Sequence, residues 1–283
     1  MFRIANSDNY CFSLPEGHKF PILKYDLLPR QLLYEGTVEQ SQFFQPNLCE
    51  WDHLISVHDQ SYLDNFIQLK LTSREQRVTG FQHDRALVNR ELTLVEGTRQ
   101  CAHFALEDGI AFNIAGGTHH AYSNKGEGFC MLNDQAVAAQ SLVNDKLVDR
   151  ILIVDLDVHQ GQGTAEIFQD SSNVFTFSMH GENNYPLRKE KSFRDVELPD
   201  NCKGSLYLSI LEKQLYELQE LVKPEFVFYQ CGVDVLASDK LGRLALTVDE
   251  CKARDALVLG YYQSLNIPIV CTMGGGYSPD IKT

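Results

Sequence analysis

The sequence predicts an α/β fold, a single domain built on a mostly parallel sheet with helices on both faces. Short apolar runs alternate with longer helical patterns through the second two thirds of the chain. These runs are continuously apolar rather than alternating, as in strands covered on both faces. No linker, repeat or low-complexity tract divides the 283 residues, so we assign one domain to 1–283.

The elements follow one another along the chain as helices and strands in turn. Helical periodicity is expected in part of 54–69, and four longer helices over 85–106, 134–148, 205–222 and 248–265. A short helix is expected over 164–168. Strands are expected at 110–115, 151–154, 174–179, 226–230 and 267–273.

Composition excludes several classes of protein. The formal charge of −13 disfavours nonspecific nucleic-acid binding and is compatible with cationic substrates. No apolar run reaches membrane-spanning length, and the N-terminus has no signal-peptide pattern, so we expect no membrane partner. The eight cysteines include no C-x-x-C pair, which favours reduced cysteines and a cytoplasmic location.

A buried strand is followed by three polar side chains in the run ILIVDLDVHQGQG, residues 151–163. Asp155, Asp157 and His159 are two residues apart, so in extended chain they project to the same side. Solvated loop acids are one interpretation. The other is a divalent-metal site, because carboxylates and imidazole are suitable ligands and are costly to bury without a partner.

Three more polar clusters follow predicted strands, at 116–120, 232–234 and 274–277. The carboxyl ends of parallel strands share one edge of a sheet, so these clusters should converge on one site. We interpret Asp157, His159 and Asp234 as three metal ligands that leave one position open. Asp239 is the rival to Asp234.

The remaining polar groups of these clusters suggest acid–base chemistry. The tandem pair His119-His120 suits a general base and a general acid, although adjacent histidines are often incidental. Asp155 and Gln162 are the candidates to orient the two rings. Tyr277 could donate to a developing oxyanion, or it is a packed rim residue.

Eight segments together resemble the zinc-dependent histone deacetylase family, which has the arginase–deacetylase fold. They are EGHKFPILKYDLL (16–28), VHDQSYL (57–63), GGTHHA (116–121), GFCMLND (128–134), DLDVHQGQGT (155–164), FSMHG (177–181), CGVDVLASDKLGRLALT (231–247) and GGGY (274–277). The resemblance looks nearest to the class IV branch and its bacterial relatives, and it covers nearly the whole chain.

The resemblance implies roles for particular residues. Zinc would be held by Asp157, His159 and Asp234, with His119 and His120 as the acid–base pair and Tyr277 polarising the carbonyl. Asp155 would orient the first histidine. A structural potassium ion would be held by five residues, Asp155, Asp157, His159, Ser178 and Met179. Substrate would contact Gly128, Phe129, Tyr185 and Gly275, the two aromatic residues lining a tunnel for acyl-lysine.

Two features depart from the family pattern. Gln162 stands where many relatives have an aspartate beside the second histidine, and a neutral amide stabilises an imidazolium less than a carboxylate does. The chain ends at Thr283, where relatives commonly add a terminal helix, so we expect that helix to be missing.

The expected function is zinc-dependent hydrolysis of the amide of an acyl-lysine protein or peptide. An alternative substrate is a small acylated amine such as an acetylpolyamine. An alternative of another class is a non-catalytic module that binds acylated peptides, which the full set of ligands, histidines and tyrosine disfavours. An arginase-like two-metal site is also disfavoured, because Gln162 occupies one potential ligand position.

Overall fold

A computed structural model describes residues 1–281 and contains one eight-stranded sheet in which all neighbouring strands are parallel. The strands are β1 Arg3–Ala5, β2 Phe43–Phe44, β3 Ile110–Asn113, β4 Ile151–Asp155, β5 Val174–Gly181, β6 Arg194–Leu198, β7 Phe226–Gln230 and β8 Ile269–Thr272. The α-helices are α1 Lys24–Tyr34, α2 Trp51–Ile55, α3 Gln60–Ile67, α4 Ser73–Thr79, α5 Arg85–Asp108, α6 Asp134–Asn144, α7 Gln162–Ile167, α8 Gly204–Val222 and α9 Val248–Ser264. The predicted α/β class and single parallel sheet are confirmed.

The strand order is β2-β1-β3-β8-β7-β4-β5-β6. From β4 the chain moves outward through β5 and β6, and then returns to place β7 on the other side of β4. Ligands bind at such a reversal in open α/β sheets. The strands β3, β8, β7 and β4 are consecutive in space, and they are the four strands that the polar clusters follow. The predicted convergence on one edge therefore follows from the strand order.

Alternate residues of the central strands supply two apolar layers. Leu152 and Val154 face α8 and α9, in a cluster that includes Leu211 and Val258. Ile151 and Ile153 face the other side, where α5 and α6 present mostly alanines. Small side chains let these helices lie close to the sheet, and full burial on both faces explains why the strands read as continuous apolar runs.

The N-terminal region differs most from expectation. The segment 54–69 contains parts of two helices, α2 and α3, with a break around His58. The strands β1, β2 and β6, at the two sides of the sheet, were not predicted; the first two are three and two residues long, too short to show a periodicity. The helices α1 and α4 were also missed, and α1, together with α3 and α5, contributes to a third apolar cluster.

Local signals set the ends of the predicted helices. Asp84 accepts a hydrogen bond from Leu87 N at 2.8 Å and starts α5, and Gly109, with φ 84°, ends it. Asn133 accepts from Ala136 N and starts α6, which stops at Asn144 rather than at 148. The expected loss of a terminal helix concerns the chain beyond Ile281, outside the described residues. Within the described residues no helix combines the length and apolarity needed to cross a membrane.

His58 connects three segments behind the site. Its Nδ1 lies 3.0 Å from the carbonyl oxygen of Tyr122, and its Nε2 accepts from Asn133 N at 3.0 Å. This arrangement needs a neutral ring with the proton on Nδ1. Burial lowers the pKa of His58 to about 4.

We expect His58 to make the fold sensitive to acid. Because its folded-state pKa lies below the ordinary value near 6.5, its contribution to stability is complete above that value and is lost as the pH falls towards 4. Between pH 7 and pH 5 this loss amounts to about 2 kcal/mol. The free energy of unfolding should be measured with urea at both pH values. Its drop from pH 7 to pH 5 should be smaller in His58→Gln than in the wild type by about that amount. An equal drop in both proteins would contradict the assignment.

Candidate active site

The structure brings Asp157, His159 and Asp234 together at the ends of β4 and β7. His159 Nδ1 lies 3.1 Å from Asp157 Oδ1 and 3.1 Å from Asp234 Oδ2, and one ligand atom from each residue lies within 4.8 Å of the others. The local route differs from the expected extended chain. The strand β4 ends at Asp155, and the Asp157 carboxylate accepts the His159 N–H at 3.0 Å, which bends the chain.

This group fits a divalent cation. Asp157 and Asp234 are 1% and 0% exposed, so two carboxylates are buried side by side. Burial, and next the negative charge of Asp157, raises the pKa of Asp234 to about 7. A dication would relieve that cost. Backbone N–H groups fix the carboxylates as well, since Gly275 N donates to Asp157 Oδ2 at 2.8 Å and Val158 N to Asp234 Oδ1 at 2.9 Å.

The rival ligand Asp239 lies outside this group. Its Oδ1 accepts from the backbone N–H groups of Leu241 and Gly242 at 2.8 and 2.9 Å, and its Oδ2 accepts from Tyr277 N at 2.6 Å. Three backbone donors occupy the carboxylate, so the geometry favours Asp234 over Asp239 as a ligand.

The two histidines lie beside the ligand group with their rings 4.1 Å apart. His119 Nδ1 lies 2.6 Å from Asp155 Oδ2, and His120 Nδ1 lies 2.7 Å from Gln162 Oε1. The structure therefore brings together both pairs that the sequence analysis could only name as candidates. Gln162 belongs to α7, as its first residue, and the helix begins two residues earlier than expected.

The two histidines differ in their electrostatic surroundings. Burial alone would lower the pKa of His119, but the charges of Asp155 and Asp157 outweigh it and raise the pKa to about 9. Burial, followed by the charges of His119 and His159, lowers the pKa of His120 well below its ordinary value. Near neutral pH the first ring therefore favours the protonated form and the second ring the neutral form.

Asp134 supports the site, although it had no predicted role there. Its buried carboxylate accepts from Gly117 N, Thr118 N and the hydroxyls of Thr118 and Thr98, at 2.6 to 3.1 Å. It thereby fixes the loop that carries His119. The GFCMLND segment was the available signal, but its target in the histidine loop is sixteen residues away.

Tyr277 lines the same pocket as the histidines. Burial, followed by the charges of Asp157 and Asp234, raises the pKa of Tyr277 well above its ordinary value, so its hydroxyl stays protonated and can donate. Lys24, a second residue without a predicted role, donates from Nζ to the carbonyl oxygen of Gly274 at 3.0 Å and supports the same loop.

The predicted substrate residues take different places. Gly128 packs against His120, where a Cβ would lie 2.7 Å from the ring, and both Gly128 and Phe129 have positive φ. Phe129 lines the pocket. Tyr185 is 38% exposed and meets His120 edge-on at 5.2 Å, while its hydroxyl donates to Glu127.

Gly275 packs against Asp157 and Asp234, and two of the residues predicted to hold potassium, Ser178 and Met179, lie in β5. A side chain at Gly275 would collide with the Asp234 carboxylate, so the position needs glycine. Ser178 lies opposite Asp155 in the register of β4 and β5, and its hydroxyl contacts His180 Nδ1 at 2.9 Å. Ser178 and Met179 are both buried.

One pocket connects the two histidines with the ligand group. It contains both histidines, Asp157, His159 and Tyr277, and it extends inward to Phe20, Tyr25, Arg90 and Leu94. A concave pocket on which a few polar groups converge is typical of a small-molecule site.

Comparison with known families matches residues 18–282 to the histone deacetylase domain. The chain is 44% identical over 280 residues to an uncharacterized protein of Picosynechococcus sp., covering 99% of this chain and 93% of that protein. It is 29% identical over 272 residues to histone deacetylase 2 of Arabidopsis thaliana, covering 92% of this chain and 70% of that protein. Among solved structures, an HDAC homolog complexed with SAHA matches with a TM-score of 0.84 and 24% identity, covering 98% of this chain and 79% of that one.

The chain belongs to the histone deacetylase family. The expected resemblance is confirmed, and the eight-stranded parallel sheet is the arginase–deacetylase fold of its structural neighbours.

Proposed function

We propose that this protein is a zinc-dependent deacylase that hydrolyses the amide of acyl-lysine in a protein or peptide. One observation carries the proposal. A single pocket is lined by Asp157 and His159 of the buried Asp-His-Asp group, by two histidines with opposite protonation preferences and by a protonated phenol. These are the parts that metal-assisted amide hydrolysis requires.

Asp157, His159 and Asp234 would hold zinc through two carboxylates and Nδ1 of the imidazole. When bound there, zinc would supply Lewis-acid chemistry, polarising a carbonyl and making water acidic near neutral pH. We assign structural potassium to Asp155, Asp157, His159, Ser178 and Met179, as the family resemblance implies.

His120 is the proposed general base. The Gln162 carbonyl accepts the proton of its Nδ1, which leaves the Nε2 lone pair free, and its low pKa keeps the ring neutral. His119, held protonated by Asp155, is the proposed donor to the leaving amine. The Tyr277 hydroxyl would donate to the oxygen of the substrate carbonyl as negative charge develops there.

Gly128, Phe129, Tyr185 and Gly275 would contact the substrate. Phe129 lines the pocket, and the more exposed Tyr185, whose ring contacts His120, would flank the entrance for an aliphatic side chain that enters from solvent. The structural neighbour that binds SAHA supports this assignment by analogy. A small acylated amine is the second candidate, and the charge of −13 is compatible with a cationic substrate. A binding module without catalysis is the candidate of another class.

A kinetic panel would separate these functions. Acyl-lysine peptides from acetyl to myristoyl and acetylated polyamines should be assayed on one sample with its zinc content measured. We expect turnover of at least one acyl-lysine peptide with kcat/KM above that for polyamines. A preference for polyamines would favour the second candidate. Peptide binding without turnover by the zinc-loaded protein would indicate a binding module.

Gln162→Asp should change the pH dependence of catalysis. The substitution places a carboxylate beside Nδ1 of His120 and raises the pKa of that ring. A base with a raised pKa remains protonated to higher pH, so the acidic limb of the kcat/KM profile should move to higher pH. The profiles of wild type and variant should be compared at equal zinc content. An unmoved limb would point to another base, with His119 the next candidate.

A further inference from the structure

Asp239 is a partly buried carboxylate that the proposed mechanism does not use. It lies five residues after Asp234, outside the metal group. One of its oxygens closes a turn by accepting from Leu241 N and Gly242 N, and the other accepts from Tyr277 N at 2.6 Å. Hydrogen bonds to a charged acceptor are about twice as strong as those between neutral groups.

The backbone leading to Tyr277 is fixed as far as Gly275. Gly274 N donates to the carbonyl oxygen of Gly116 at 3.2 Å, and Gly275 accepts from Val233 N at 2.8 Å while it donates to Asp157. Tyr277 lies two residues further, beyond Gly276, and glycine leaves the backbone free to turn. The Asp239 carboxylate is the hydrogen-bond acceptor at Tyr277 itself, so it restricts where the ring can lie.

The turn that carries Asp239 is itself anchored beside the metal group. Asp239 N donates to the carbonyl oxygen of Leu236 at 3.0 Å. Gly242 packs so closely on the backbone carbonyl of Asp234 that a side chain would collide with it. From the other side, Asn184 donates to the carbonyl oxygen of Leu241 at 2.9 Å. The carboxylate therefore has a defined place relative to the backbone of Asp234.

We propose that Asp239 is a positioning residue, whose carboxylate holds the backbone of Tyr277 so that the phenol lies at a set distance from the Asp-His-Asp group. This rests on the proposed function, in which the Tyr277 hydroxyl donates to the substrate carbonyl. Misplacing a reacting group by about 1 Å can cost 100-fold in rate.

Asp239→Asn tests the proposal with little change of shape. The single amide oxygen retains more hydrogen bonds by accepting from the two turn donors, Leu241 N and Gly242 N, so the NH₂ group then faces the Tyr277 N–H. Ser238→Ala is the matched control, because it removes the adjacent contact between Ser238 and Ser278, 2.9 Å long, without changing the acceptor for Tyr277 N. We expect Asp239→Asn to lower kcat by about 10- to 100-fold with unchanged KM and zinc content, and Ser238→Ala to keep the wild-type kcat.

The same substitution in a Tyr277→Phe background separates positioning from other effects. Without the hydroxyl, Asp239→Asn should lower kcat little further, because the two changes act through one group. An equal fall in both backgrounds would overturn the proposal, and so would a wild-type kcat or a loss of zinc in Asp239→Asn. A wild-type kcat in Tyr277→Phe would refute the hydroxyl's role in the proposed function. It would also refute the part of this proposal that concerns kcat.

Hydrogen exchange at the Tyr277 amide gives a readout that needs neither metal nor activity. In the wild type this amide should exchange at least about 100-fold more slowly than in unstructured chain. Protection should persist in Ser238→Ala and disappear in Asp239→Asn. Rapid exchange in the wild type would overturn the proposal even if Asp239→Asn failed to fold.

Discussion

Asp234→Ala and Asp157→Ala should each abolish both tight zinc binding and hydrolysis. Each substitution leaves two of three ligands, which hold zinc poorly. Removing a residue that is hydrogen-bonded to a metal ligand typically lowers activity ~10- to 100-fold, and we expect the loss of a ligand itself to cost more. Zinc analysis of the purified variants, together with their turnover of an acetyl-lysine peptide, measures both effects.

Asp239→Asn is the control for zinc binding. Asp239 follows Asp234 closely in the sequence but lies outside the ligand group. The variant should keep full zinc occupancy. Full occupancy in Asp234→Ala would remove Asp234 from the site. Zinc loss in Asp239→Asn would restore the rival assignment that the geometry disfavours.

Tyr277→Phe should lower kcat by about 100- to 1000-fold, the usual cost of losing one oxyanion donor. The ring is retained, so its contact with Phe129, with ring centroids 6.1 Å apart, should be retained as well. The zinc content should not change. The loss should fall on kcat more than on KM, because the hydroxyl stabilises charge that develops in the transition state.

The control for the lost hydroxyl is Tyr216→Phe, on the outer surface of α8. Tyr216 is 57% exposed, and its ring contacts Tyr261. Neither residue belongs to a segment of the site. This variant should retain wild-type kcat. If Tyr277→Phe did so too, Tyr277 would be a rim residue, as the other interpretation of its sequence motif holds.

The central fold could be predicted because its signals are local. A strand buried on both faces must be continuously apolar, so β4 and β7 are visible in the sequence alone. Helix caps such as Asp84 and Asn133 act within three residues. The short strands β1 and β2 depend on pairing with distant segments, and two or three residues show no periodicity by themselves.

The candidate site, too, could be predicted only in part from the sequence. The sequence by itself determined which side chains stand at the strand ends, because Asp155, Asp157 and His159 directly follow a buried apolar run. The bend after β4 that brings Asp157 and His159 together was visible only in the structure. It left Asp234 and Asp239 as rivals. Only the tertiary structure separated them, by turning one carboxylate towards His159 and covering the other with the N–H of Tyr277. Donors from elsewhere in the fold decide what a buried carboxylate does, and the chemistry of the residue alone does not contain that information.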